Sequence, residues 1–383
     1  MSFHTKQLIC LLSVAIATLS LVYMPQPIAP LLATYFGVSL HLATLLVSFT
    51  LLPMAIAPIL YGFLLERFNA KNIVIFSVFA CGVLQVASIF CEDFFVFLVL
   101  RCVQALFFPA ILTTLLTILT RISTQHIQRN VSLYVSATIT GGLIGRVLGS
   151  TLTDMWGWHI CFFVFGVVMI GCGVWLFGIE DSKRISHHTP RIKAFLPFLS
   201  NKRVLQILGG AFLMFFTFQA ILSLLPIELK TLDPFVREST IGAFYISYLV
   251  GIVISLCAGY IILFLGNKVR AIAAGFIVFG VGVLLLIYPH FWIIFGAMFV
   301  VCAGCFTCHN VLSALLNSIS VRQKGIANGL YLSFYYAGGA LGSHLPIFIY
   351  EEFGWGYLCA GLSFLLFVLA LLFMRNASFF ARY

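Results

Sequence analysis

Twelve long apolar runs divide this chain, at residues 7–35, 40–65, 72–91, 94–120, 130–153, 158–178, 204–227, 240–265, 269–288, 291–318, 329–350 and 356–374. Each is close to or above the roughly 20 residues that a helix needs to cross a bilayer. Inside lipid every backbone N–H and C=O must find its partner within the protein. An apolar segment of this length therefore becomes an α-helix. Charged residues make up 8% of the chain, against about 25% in an ordinary soluble domain. The expected fold is an all-α polytopic membrane protein with twelve transmembrane helices.

The formal charge of +10 invites a nucleic-acid reading, but topology accounts for it better. With twelve spans and the N-terminus inside, 17 of the 21 Lys and Arg fall in cytoplasmic segments. Lys230 and Arg237 fall outside, and Arg101 and Arg146 lie within spans. Eight of the eleven acids fall on the outer side: Glu92, Asp93, Asp154, Glu228, Asp233, Glu238, Glu351 and Glu352. That asymmetry is the positive-inside pattern and places both termini in the cytoplasm. The expected surroundings are lipid bilayer, with no nucleic-acid partner. The first apolar run continues through Pro25 to Tyr35, longer than a signal-peptide core, so no cleavage is expected.

The spans repeat. Gly141, Gly145 and Gly149 recur every fourth residue and share one helix face, a spacing that lets a second helix approach backbone to backbone. A weaker copy, Gly338-Gly339-Ala340-Leu341-Gly342-Ser343, stands 197 residues later, with Ser343 where the first copy has Arg146. Trp158 and Trp355 have the same separation, as do Gly62 and Gly259. The chain therefore divides into a six-helix bundle at 1–178, a linker at 179–203 and a second six-helix bundle at 204–383. The linker holds Lys183, Arg184, Arg191, Lys193, Lys202 and Arg203, which suits contact with anionic headgroups.

Three motifs carry a resemblance. Gly62-Phe63-Leu64-Leu65-Glu66-Arg67-Phe68-Asn69-Ala70-Lys71 resembles Gly-x-Leu-x-Asp-Arg-x-Gly-Arg-Lys, the signature between the second and third helices of the major facilitator superfamily. Gly259 to Lys268 is a degenerate copy. Arg101-Cys102-Val103-Gln104-Ala105 is similar to Arg-x-x-Gln-Gly of the fourth helix. The glycine run of the fifth span resembles the antiporter signature Gly-x-x-x-Gly-Pro-x-x-Gly-Gly, with Arg146 for proline. This pattern resembles that of the twelve-helix drug:proton antiporter branch. The resemblance implies two pseudo-symmetric six-helix bundles with a central solute site. It also implies alternating access, a proton gradient in place of a cofactor, a bacterial inner membrane and a monomer. Glu66, with Arg67 and Lys71, is implied as a cytoplasmic gate near the start of the eleventh helix at Asn328 and Gly329. Gly62, Gly141, Gly145 and Gly149 are its flexible or close-packed points.

Arg101 and Arg146 are the residues expected to matter most. Both lie about seven residues from the outer end of their spans, roughly 10 Å deep at 1.5 Å per residue. Embedded cations are costly and default to a functional reading; the structural alternative is that each bonds a helix end or pairs with Asp154 or Glu228. Gln104 shares a face with Arg101. Tyr23 and Gln26 sit where Pro25, Pro27 and Pro30 bend the first span. Gln219, His309 and Asn310 complete the set expected to contact solute or couple it to protons. His309, His344 and Asp154 are the candidate proton carriers, because no acid falls in the middle of a span. A positive interior favours anionic or neutral solutes over cations. Cys302, Cys305, Cys308 and His309 have haem-like spacing, but inside a membrane helix they read as packing residues, so no metal is expected. No HExxH pair, carboxylate dyad or nucleophile elbow is present, so no catalytic residue is assigned. The expected function is proton-coupled export of a small solute; the alternative is an uptake or facilitated carrier for a small anionic or neutral metabolite.

Overall fold

Prolines mark two of the helix breaks, after Tyr23 and after Gly342. The computed structural model describes residues 3–67, 69–122, 127–179, 196–320 and 324–380, with the side chains of 3, 4, 57–67, 121, 122, 127, 128 and 324 outside the description. The chain forms α1 (Phe3–Tyr23), α2 (Ala29–Phe36), α3 (Leu40–Arg67), α4 (Ala70–Ala87), α5 (Phe94–Ile122), α6 (Ile127–Trp156), α7 (Trp158–Leu176), α8 (Leu196–Leu199), α9 (Lys202–Leu232), α10 (Glu238–Ala243), α11 (Tyr248–Leu265), α12 (Lys268–Leu285), α13 (Phe291–Ile319), α14 (Lys324–Gly342) and α15 (Pro346–Arg375). Among the described residues ten helices are long and apolar enough to cross a membrane, with α10 and α11 taken as one span. The two remaining apolar runs of the sequence correspond to α3 and α14.

The first apolar run becomes two helices, α1 and α2, with Met24–Ile28 between them. The eleventh run departs from expectation. It stops at Gly342 and restarts at Pro346, because Pro346 has no N–H to return to the Gly342 carbonyl. The restarted helix then kinks at Gly354, where φ is +82°. Gly157 separates α6 from α7 with φ +83°. These two glycines are 197 residues apart, and the conformation they share is open only to glycine. The repeat read in the sequence is thus present in the backbone.

The residues group into two compact units. One comprises Met1–Thr189 with Val236–Ala243; the other comprises Pro190–Phe235 with Phe244–Tyr383. Within the first, α1 packs on α6, α4 on α5 and α7, and α3 on α5. Within the second, α9 packs on α14, α12 on α13 and α15, and α11 on α13, which is the same pairing one repeat later. Residues 180–195 of the basic linker lie outside the described residues.

The glycine periodicity explains two close pairings, α1 with α6 and α9 with α14. A Cβ added at Gly141 would stand 2.5 Å from the Ile16 carbonyl oxygen, and one at Gly145 would overlap the Ser20 backbone. In the second unit a Cβ at Gly338 would overlap Phe212, and one at Gly342 would overlap Phe216. Ser20 Oγ crosses the first seam to donate to the Gly141 carbonyl at 3.0 Å.

We expect Gly145→Ala to lower the thermal midpoint in detergent, since overpacking of this kind costs about 1–3 kcal/mol. Gly171→Ala is the control, because nothing stands within 4 Å of an added Cβ there, and it should shift stability by less than about 0.5 kcal/mol. Scanning fluorimetry reads both; an unchanged midpoint in Gly145→Ala would remove the seam from the account.

Candidate functional site

In the first unit the polar residues collect where α1 ends. Proline at position 25 removes the N–H that would have bonded the Leu21 carbonyl. That freed oxygen accepts from Arg101 Nη2 at 3.0 Å. Arg101 Nη1 donates to Gln85 Oε1 at 3.0 Å and to Gln104 Oε1. Gln104 Nε2 in turn donates to Gln85 Oε1 at 3.0 Å and to the Cys81 carbonyl at 2.8 Å. Arg101 is 1% exposed, and its Nε has no partner among the described residues.

Arg146 closes on the same break from α6. Its Nε donates to Gln26 Oε1 at 2.7 Å and its Nη1 to the Gly142 carbonyl at 2.9 Å. The guanidinium carbon stands 4.0 Å from the centroid of the Tyr23 ring, a cation–π distance. Tyr23, Gln26, Arg101, Gln104 and Arg146 are therefore brought together, all buried, around residues 21–26. Of the alternatives open at the sequence level, Arg101 takes the helix-end one. A cation at a helix C-terminus is stabilised by the negative end of the dipole. Gln85, which bridges Arg101 and Gln104, was not anticipated. Its signal was an amide in the otherwise apolar run 72–91.

The acids expected on the outer side are engaged elsewhere. Asp154, near the end of α6, holds Arg237 Nη2 at 2.9 Å and accepts from Ser239 Oγ at 2.7 Å. These contacts fasten α10 to α6, where Gly242 lies against Ser150. Glu228 accepts from Tyr350 Oη at 3.0 Å and is 9% exposed. The sequence places this acid at a span mouth; the fold encloses it more deeply.

In the second unit α13 carries the polar line. His309 Nδ1 lies 3.1 Å from Tyr331 Oη, which also donates to the His309 carbonyl. The ring of Tyr335 stands 4.8 Å from that of His309 and stacks on Phe215 at 3.7 Å. Asn310 Nδ2 donates to Ser255 Oγ at 3.0 Å and to the Phe306 carbonyl at 2.8 Å. Gln219 is fully buried on α9. Prolines act here too: the Leu222 carbonyl, left without its partner by Pro226, accepts from Tyr245 Oη at 2.7 Å. Cys302 Sγ contacts Ser247 Oγ, and Cys308 Sγ contacts the Ile272 carbonyl. Among the described residues no group of three potential metal ligands forms.

The residues expected at the gate lie on α3, α4 and α6. Gly62, Glu66 and Arg67 belong to the last turns of α3, whose side chains lie outside the described residues. Lys71 Nζ donates to the Phe177 carbonyl at 2.9 Å and the Ile179 carbonyl at 2.5 Å, at the C-terminal end of α7. Its repeat counterpart Lys268, 197 residues on, donates to Ser318 Oγ at 3.0 Å. Gly141, Gly145 and Gly149 line the contact with α1 at Ile16, Ser20 and Met24.

Comparison with known proteins places these features in a family. The chain matches the Major Facilitator Superfamily model over residues 11–267 and again over 232–379. A relative from Buchnera aphidicola subsp. Schizaphis graminum (strain Sg), described as an uncharacterized transporter, is 24% identical over 332 residues, which is 85% of this chain and 80% of its own length. The uncharacterized MFS-type transporter YybF of Bacillus subtilis (strain 168) is 24% identical over 376 residues, 92% of this chain and 88% of its own. Among solved structures, the nucleoside transporter NupG superposes with a TM-score of 0.80 at 14% identity, covering 97% of this chain and 99% of that one. The peptide transporter POT in complex with sulfate superposes with a TM-score of 0.80 at 14% identity, covering 98% and 95%. At such identities the structures speak to the fold alone. The relatives are transporters, and the chain is a multi-pass membrane protein of their kind: it belongs to the Major Facilitator Superfamily.

Proposed function

We propose that this chain exports a small solute from the cytoplasm by alternating access, drawing on the proton gradient, as a monomeric carrier of the drug:proton antiporter branch in a bacterial inner membrane with both termini cytoplasmic. The observation that carries the reading is the α1–α6 seam. The glycine run whose pattern resembles the antiporter signature packs against α1 through bare backbone, and Arg146 reaches from it to the break after α1. A carrier must switch between two packed arrangements. A helix broken in the membrane and held by hydrogen bonds that can be exchanged supplies such an element. The carrier binds its solute without changing it, so no catalytic group is assigned.

The arginines bear on which solute is carried. The acceptors of Arg101 are neutral: two amides and a backbone carbonyl. The charge stays uncancelled by a carboxylate there, which disfavours organic cations and suits anionic or neutral solutes.

Inside-out vesicles test direction. When their lumen is acidified, export coupled to protons accumulates a labelled solute from a metabolite and drug panel, and a protonophore abolishes the accumulation. Accumulation driven by the opposite gradient would show uptake instead.

Arg101→Ala should reduce flux of the solute so identified by at least about tenfold. It should also lower stability by about 1.5–3 kcal/mol, as the freed Leu21 carbonyl and both amides lose a charged donor. Arg101→Lys should recover part of each, because an ammonium lacks the planar fork that reaches three acceptors. Wild-type flux in a folded Arg101→Ala variant would reduce this arginine to scaffolding.

A further inference from the structure

Glu228 has no role in the account so far, and its surroundings are unusual for an acid. It lies on α9, two residues after Pro226 and four before the helix ends at Leu232, so about 6 Å along the axis from that end. It is 9% exposed. Among the described residues no cation pairs with it. Its hydrogen-bond donor is Tyr350 of α15, 3.0 Å from Oε2.

That tyrosine leads outward. Tyr350 Oη is also 3.3 Å from Thr231 Oγ1; Thr231, exposed one turn further along α9, donates to the Ile227 carbonyl at 3.1 Å as well. Thr231, Tyr350 and Glu228 thus form a hydrogen-bonded line from an exposed hydroxyl to an enclosed carboxyl. Glu228 also acts electrostatically on Cys359, on the same helix as Tyr350. The neighbouring acids Glu351 and Glu352 are exposed. Lys230 is on the same helix but two residues away, so it faces elsewhere.

A carboxylate enclosed without a cation is expensive in its charged form, and such groups inside membranes mark places where charge changes hands. We propose that Glu228 is the proton-exchange site of this carrier and takes its proton from the outer face through Thr231 and Tyr350. The step balances as a transfer along hydroxyls. Tyr350 passes its Oη proton to the Glu228 carboxylate, Thr231 turns its hydroxyl from the Ile227 carbonyl and replaces the tyrosine proton, and hydronium at the surface replaces that of Thr231. The net change is carboxylate plus hydronium to carboxylic acid plus water. The other candidates are differently placed. Asp154 is tied to Arg237 and Ser239, and His309 spends Nδ1 on Tyr331. The inference rests on proton-driven export and on the topology that puts this end of α9 outside.

Protons themselves are the probe. Full-length protein in lipid nanodiscs is titrated under infrared difference spectroscopy, which reads the carboxylic C=O stretch without any solute. We expect one titrating carboxylic band in the wild type to be missing from Glu228→Gln, a near-isosteric change. In Tyr350→Phe the band should persist but appear about tenfold more slowly after a pH jump. A purely structural Tyr350–Glu228 bond would leave that rate unchanged. An undiminished band in folded Glu228→Gln, or a wild-type rate in Tyr350→Phe, would overturn the proposal. If these spectra come out as expected while inside-out vesicles show no proton-driven accumulation, the proton site stands and the export reading fails.

Discussion

One unsatisfied carbonyl organises the first half of this protein. Proline at position 25 leaves the Leu21 oxygen without its helical donor inside an apolar environment, where an unpaired backbone group costs several kcal/mol. Arg101 supplies the donor, and in doing so becomes a buried cation that needs acceptors of its own. Gln85 and Gln104 provide them, and Gln104 is held in turn by the Cys81 carbonyl. The chain of requirements runs from a missing N–H through three helices. Arg146, with Gln26 and Tyr23, closes the other side of the break.

The two repeats solve the same backbone problem differently. In the first unit the leading span breaks and the fifth helix, α6, runs unbroken with Arg146 inside it. In the second the leading helix α9 runs through Pro226, and its freed carbonyl is met by the neutral hydroxyl of Tyr245. The break has moved to the fifth span, at 343–345, where Ser343 stands in the position of Arg146. The charge and the broken leading helix occur together, as they should if the charge is there to serve the break. The close helix seams, by contrast, are common to both units, because backbone contact depends only on the absent Cβ.

The remaining charges follow related rules. Lys71 sits on the carbonyls at the end of α7, where the dipole favours a cation. Asp154 is matched to Arg237, which fastens α10, an element lying between α9 and α11 in sequence, onto α6 of the first unit. Glu228 differs from these, an enclosed acid whose donor is a tyrosine hydroxyl.

By itself the sequence determined that the chain is helical, membrane-embedded and internally repeated, since apolar length and the 197-residue offset are properties of the string. It also marked Arg101, Gln104, Arg146, Tyr23 and Gln26, because polar groups in apolar runs and prolines in helices stand out before any folding. Tertiary structure alone decided what those groups touch. That Arg101 serves the Leu21 carbonyl depends on two helices 80 residues apart in sequence meeting at one level, which no local pattern encodes. The role of Gln85 was hidden for the same reason. The interruption at 343–345 leaves no mark in the sequence, because the apolar run continues across Pro346 without a change in hydropathy. The enclosure of Glu228 was illegible because burial near a span end is set by the packing of α15 rather than by position along α9.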